Sequence, residues 1–149
     1  MKTNDMKRMW VKSMVFFVLM GCMAFFMGCN EESNIPVPAQ EFIKEYFPKS
    51  TVVLVEMDAD DEGKEYCAWL NDGTKVEFDL LGEWKRVSRN KTGVPSRLVP
   101  PVITEYVKTN YPQDIISKLS KKSYGYKIEL SDDMDLRFDP QGNFIEEVD

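Results

Sequence analysis

The chain has 149 residues, 19 of them basic and 25 acidic, for a net charge of −6, and it contains no histidine. The acidic balance disfavours nucleic acid and anionic headgroups as partners. The missing histidine removes Ser-His-Asp and Cys-His catalysis and imidazole-ligated zinc together.

The N-terminus reads as an export signal. Lys2, Lys7, Arg8 and Lys12 form a basic start, which Met6 or Met9 as the initiator would shorten to a more usual length. Residues 14–28, MVFFVLMGCMAFFMG, are an apolar run of 15. That is short of the ~20 residues a membrane span needs and suits a signal core. Met27-Gly28-Cys29 resembles the lipobox of bacterial lipoproteins, where the cysteine becomes the lipidated first residue. Leu19-Met20-Gly21-Cys22 is a rival with the better leading Leu, but cleavage there would leave the apolar MAFFMG exposed. An uncleaved anchor is the third alternative. Glu31 and Glu32 resemble the acidic signals of surface-exposed lipoproteins. The resemblance implies an exported protein anchored in the outer membrane, facing the periplasm or the cell surface, and touching the membrane through its lipid alone. Without residues 1–28, 121 residues remain, with a net charge of −9. Cys67 is then the one cysteine besides Cys29, so no internal disulfide framework is available.

Residues 29–37 form a polar tether. In PAQEFIKEYFP, residues 38–48, Phe42, Ile43, Tyr46 and Phe47 share a helical face, Pro38 suits the first turn and Pro48 stops it. Strands are predicted over 51–58, 64–70, 74–79 and 83–88, with DADDEG (58–63) as a loop and Asn71-Asp72-Gly73 as a turn. After a polar linker, 91–99, the order repeats. Residues 100–112 read as a helix with Ile103, Tyr106, Val107 and Tyr111 inward, and DIISKLS, YKIEL, MDLRFD and NFIEEV as strands. Glu41, Lys44 and Pro48 return as Glu105, Lys108 and Pro112, an offset of 64. Tyr66, Leu70, Asp72, Phe78, Asp79 and Gly82 return as Tyr126, Leu130, Asp132, Phe138, Asp139 and Gly142, an offset of 60. The fold class is therefore α+β: a tandem repeat, 38–90 and 100–149, of one helix and a four-stranded antiparallel sheet. The simplest assembly is one compact unit with a continuous eight-stranded sheet, helices on one face and water on the other.

Asp139-Pro140-Gln141-Gly142 spells a type I turn closed by a glycine bulge, and Asp79 to Gly82 is its counterpart. This geometry sets Phe138 opposite Phe144 and Phe78 opposite Trp84 on the inner face, and makes Asp79 and Asp139 turn residues rather than a carboxylate pair for catalysis. Leu80-Leu81 replace Pro140-Gln141 at the first tip. They either fold onto a neighbouring helix or linker, or present a contact to a partner. Asp133 stands where the first repeat has Gly73.

Cys67 and Trp69 have the parity of the polar sheet face, where the second repeat has Lys127 and Glu129. A tryptophan on a charged face is either a binding residue or is shielded by the other repeat or a loop. Lys75, Glu77, Lys85 and Asp79 share that face and could form a polar rim. Cys67 lacks a base that would make it a nucleophile. Asp58, Asp60 and Glu62 alternate as in a calcium loop, but Trp69 stands where the bidentate glutamate of an EF-hand belongs, which leaves at most a weak, hydrated calcium site. No other metal and no cofactor is expected. Asn90-Lys91-Thr92 fits a glycosylation pattern of little meaning in a bacterial lipoprotein.

Taken together, the lipoprotein signal, EYFP and NYP, and FDLLGEW and FDPQGNF resemble the PepSY-like, β-lactamase-inhibitor-protein-like family of secreted bacterial proteins, over residues 38–148. The resemblance implies two α/β repeats building one curved sheet, and a namesake whose concave face grips an enzyme; no inhibitor contact motif carries over to this chain. The expectation is a non-enzymatic envelope lipoprotein that binds a protein through its open sheet face. Trp69, Leu80 and Leu81 are expected at the centre of that site, with Cys67, Lys75, Glu77 and Lys85 around them. The alternative is a glycan or small ligand on the same face.

Overall fold

The computed structural model describes residues 34–60 and 63–148. The signal segment with Cys22 and Cys29, together with Glu62 and the side chain of Asp60, lies outside the described residues. Each repeat begins with a helix launched by proline. Pro36 and Pro100 hold φ values of −54° and −50° with extended ψ values of 149° and 134° at the two N-caps. α1 (Val37–Tyr46) and α2 (Pro101–Asn110) follow, and each ends before the Pro48 or Pro112 that could not continue it. Behind α1 come β1 (Val52–Asp60), β2 (Gly63–Leu70), β3 (Lys75–Phe78) and β4 (Trp84–Ser88); behind α2 come β5 (Ile116–Lys122), β6 (Gly125–Leu130), β7 (Asp135–Phe138) and β8 (Phe144–Val148). The eight strands form one antiparallel sheet in sequence order. β4 and β5 pair directly through Arg86–Ser120, Val87–Leu119 and Ser88–Lys118, so the two repeats share one sheet, as expected.

Strand alternation builds the core. Val76, Phe78, Val87, Leu119, Ile128, Leu130, Leu136 and Phe138 point to the helices and are fully buried. Each such side chain contributes about 1.5–3 kcal/mol by leaving water. The repeated hairpins are the most regular part. Phe78 pairs with Trp84 and Phe138 with Phe144, each across a bulge. Gly82 and Gly142 carry the left-handed φ of 88° and 86° that the turn requires. Asp79 Oδ1 accepts the N–H groups of Leu81 and Glu83, and Asp139 Oδ1 those of Gln141 and Asn143. Each helix then seats one aromatic ring on its hairpin. Phe42 lies 5.6 Å from Phe78 and 5.9 Å from Trp84; Tyr106 lies 5.4 Å from Phe138 and 4.7 Å from Phe144.

Three segments differ from the sequence-based expectation. DADDEG is not an open loop: Asp58 pairs with Glu65, Ala59 with Lys64 and Asp60 with Gly63, so the extra residues lengthen a hairpin whose ladder needs only backbone groups. Ile35, assigned to the tether, is buried in the core, and its carbonyl accepts the Gln40 side-chain amide at 2.9 Å. The linker 91–99 is not merely polar, because Val94, Leu98 and Val99 plug the core around a short 3-10 turn, Ser96–Leu98.

Candidate functional site

The helices cover one face of the sheet, and the opposite face is the candidate site. Its first half is set by the ladder register: Leu54 and Lys75 flank Trp69, and Glu56 and Glu77 flank Cys67. Arg86 lies opposite Glu77, and the bulge beside it gives Lys85 the reach to join the same face. Lys85 Nζ sits 2.9 Å from Glu65; Lys75 Nζ and Arg86 Nη1 sit 2.6 and 2.5 Å from the two oxygens of Glu77.

These cations fold over the strands, and two expected contact residues are thereby removed from the surface. Cys67 is 1% exposed and Glu77 3%, so neither touches a partner directly. Burial pushes the Cys67 thiol above its ordinary range; Lys75 opposes this, while Glu77, Glu65 and Asp58 add to it. Among the described residues, Glu65, Cys67 and Glu77 bring potential metal ligands within 4.8 Å of one another. Both carboxylates are already neutralised by lysine or arginine and the thiol holds its proton, so a divalent ion would have to displace three cations. The cluster is an internal charge lattice. The second repeat inverts it: Lys75, Glu77 and Arg86 are answered at an offset of 60 by Asp135, Arg137 and Glu146, with Arg137 2.6 Å from Glu146 and Asp135 2.5 Å from Lys127.

Trp69 is not covered in this way. It is 37% exposed, beside Leu54, which is exposed as well. Lys75 Nζ stands 5.4 Å from the centre of the ring. Next to the indole lies a cavity of about 300 Å³, bounded by Gly73, Lys75, Ser88, Arg89 and Lys91. Its far wall is braced. Arg89 Nη2 lies 3.0 Å from Asp72 Oδ2, which also accepts the Ser50 hydroxyl at 2.9 Å. Burial pushes the Asp72 carboxyl up, but hydrogen bonds from Thr74 and Ser50 and the Arg89 charge outweigh it, and the group is held below its ordinary value. A rigid, half-open aromatic floor with a cationic wall suits an apolar or aromatic group that carries a negative charge nearby.

Leu80 and Leu81 do not belong to this site. Trp69 pairs with Lys75 at one end of β3, and the leucines follow Phe78 at the other end, about 15 Å further along at ~3.3 Å per residue. Their tip rests on α1, since a Cβ on Gly82 would come within 2.9 Å of Pro36 Cβ and 3.0 Å of the Ala39 nitrogen. The two side chains still face outward, 50% and 76% exposed. Asp58 lies on the open face opposite Glu65, exposed at the end of β1. Leu54, Arg89 and Lys91 were missed from sequence. Leu54 needed the register across the β1 bulge, and the other two sit in a segment that composition marks only as polar.

Comparison with known proteins accords with this architecture. A family model described as β-lactamase-inhibitor-like and PepSY-like matches residues 64–146. Among solved structures, a protein of Bacteroides thetaiotaomicron described as calcium-regulated and periplasmic is similar at 36% identity, covering 79% of this chain and 93% of its own, with a TM-score of 0.72. Two Bacteroides vulgatus proteins described as periplasmic are similar at 30% and 35% identity. They cover 78% and 79% of this chain and 94% and 93% of their own, with TM-scores of 0.73 and 0.69. No curated protein matches the chain.

Proposed function

Because the chain belongs to the PepSY-like, β-lactamase-inhibitor-like family, we propose that it is a non-enzymatic envelope lipoprotein, anchored through Cys29, that holds a protein partner on its open sheet face. The observation that carries this reading is the Trp69 cavity. An indole kept at the surface of a charged lattice, with its rim fixed by Arg89 and Asp72, is preorganised as an anchor for one partner side chain. Leu54 extends the apolar patch; Lys75 and Lys91 supply charge at its edge. The fold contributes a rigid platform, because β2 and β3 are interior strands paired on both sides. The leucine tip remains a separate contact surface, not part of the anchor.

Photo-crosslinking in the native envelope tests this. A photoreactive residue at Lys91, on the cavity rim, is expected to give a discrete protein adduct that disappears with Trp69→Ala. The same residue at Val102, on the helix face, is expected to give none. A discrete adduct at Val102 with none at Lys91 would refute the open-face assignment, and a Trp69-dependent adduct with glycan would move the site to the alternative ligand class.

A further inference from the structure

Where β4, β5, β6 and β7 meet, the open face sinks into a second hollow of about 200 Å³. Four cations line it, Arg86, Lys118, Lys122 and Lys127, against two carboxylates, Glu129 and Asp135. Positive groups outnumber carboxylates in this lining, although Arg86 is also paired with Glu77 beside it, in a chain of net charge −6. We propose that this hollow is an oxyanion site that takes a single carboxylate or phosphate group. It is separate from the Trp69 cavity and requires nothing of it.

The internal acids position the cations without exhausting them. Lys118 Nζ lies 2.5 Å from Glu129 and Lys127 Nζ 2.5 Å from Asp135. An ammonium has three donors, so each lysine keeps donors for an incoming anion while its stem is held in place. Arg86 gives Nη1 to Glu77 at 2.5 Å and Nε to Ser120 Oγ at 3.3 Å, and its guanidinium has five N–H groups in all. Ser120 is 3% exposed at the floor. Its oxygen accepts from Arg86, which leaves the hydroxyl rotor able to turn its proton toward the hollow. A buried hydroxyl lining the same hollow as Lys118, Lys127 and Arg86, each held by a carboxylate, offers an oxyanion cradle in its chemistry. The volume also fits: at ~30 Å³ per water, the space equals roughly seven waters, enough for one phosphate or carboxylate with part of its shell. The corresponding positions of the first repeat are Cys67, Trp69 and Lys75 in place of Lys127, Glu129 and Asp135, so the two halves of one face carry different sites on the same scaffold.

Titration of the 15N-labelled protein with inorganic phosphate, and separately with a Gly-Glu-Gly tripeptide, tests the proposal. The amides of Lys118, Ser120 and Lys127 are expected to shift saturably with at least one probe, and binding is expected to weaken at high salt. Lys122→Gln and Lys118→Gln should each weaken it by about threefold, with the spectra themselves reporting an intact fold. Trp69→Ala should leave it unchanged, which keeps this result independent of the partner-binding test. Saturation by phosphate alone or by the tripeptide alone assigns the site to that group. Absence of saturable shifts with both probes, or wild-type affinity in both lysine variants, would overturn it.

Discussion

Asp139 shows how much a single side chain does in this fold. It accepts backbone N–H groups from Gln141 and Asn143 and the Asn143 side-chain amide at 2.8 Å. The Asn143 side-chain and backbone hydrogen bonds hold its carboxyl below the ordinary value. Asp72 is depressed too, for the reasons given above. A depressed carboxyl contributes stability that is present above the unfolded-state pKa of ~3.9 and is lost as pH falls through the folded value. Stability is therefore expected to decline from about pH 4 downward, and Asp139→Ala to flatten that decline, as measured by urea midpoints from pH 7 to pH 2. A parallel offset at every pH would deny the carboxylate this role. Asp133 is the opposite case. It holds φ 69° where the first repeat uses Gly73 at φ 83°. The left-handed region is costly for a residue with a Cβ, so Asp133→Gly should stabilise the protein by about 0.5–1 kcal/mol, read as a higher urea midpoint.

At the scale of elements, the unit is a helix ring seated on a bulged hairpin, made twice. Phe42 touches Phe78 and Trp84, and Tyr106 touches Phe138 and Phe144, although helix and hairpin are more than thirty residues apart in each repeat. Phe42→Ala should cost about 2–4 kcal/mol, seen in thermal or urea unfolding, whereas Leu81→Ser, at an exposed tip, should change stability little. These hairpins were legible in the sequence because turn chemistry is local: Asp, then Gly three residues later, dictates the backbone wherever it stands. The β1–β2 hairpin was misread because backbone ladders do not require apolar side chains, so an acidic run can be strand. Ile35 and the plugging residues of 91–99 were hidden because isolated apolar residues carry no periodicity.

Across the whole molecule, one sheet bears two unlike surfaces. The helix face consumes the apolar residues of both repeats, and the open face distributes charge in mirrored lattices interrupted by the Trp69 cavity and the basic hollow. Parity placed Trp69, Lys75, Glu77 and Lys85 on that face from sequence alone. It could not show that Lys75, Lys85 and Arg86 close over Cys67 and Glu77, because side-chain reach depends on the bulge at β4. Nor could it show that the leucine tip and Trp69 stand at opposite ends of β3. The scaffold leaves Leu54 and Trp69 exposed side by side on this face, and the proposed recognition centres on that pair. The most direct test is the affinity of the partner captured at the Lys91 rim for Trp69→Ala and for Leu81→Ser, with unfolding midpoints recorded alongside. Trp69→Ala is expected to weaken binding by at least about 2 kcal/mol with its midpoint nearly unchanged, and Leu81→Ser to leave binding intact. Full affinity in Trp69→Ala would contradict the central claim.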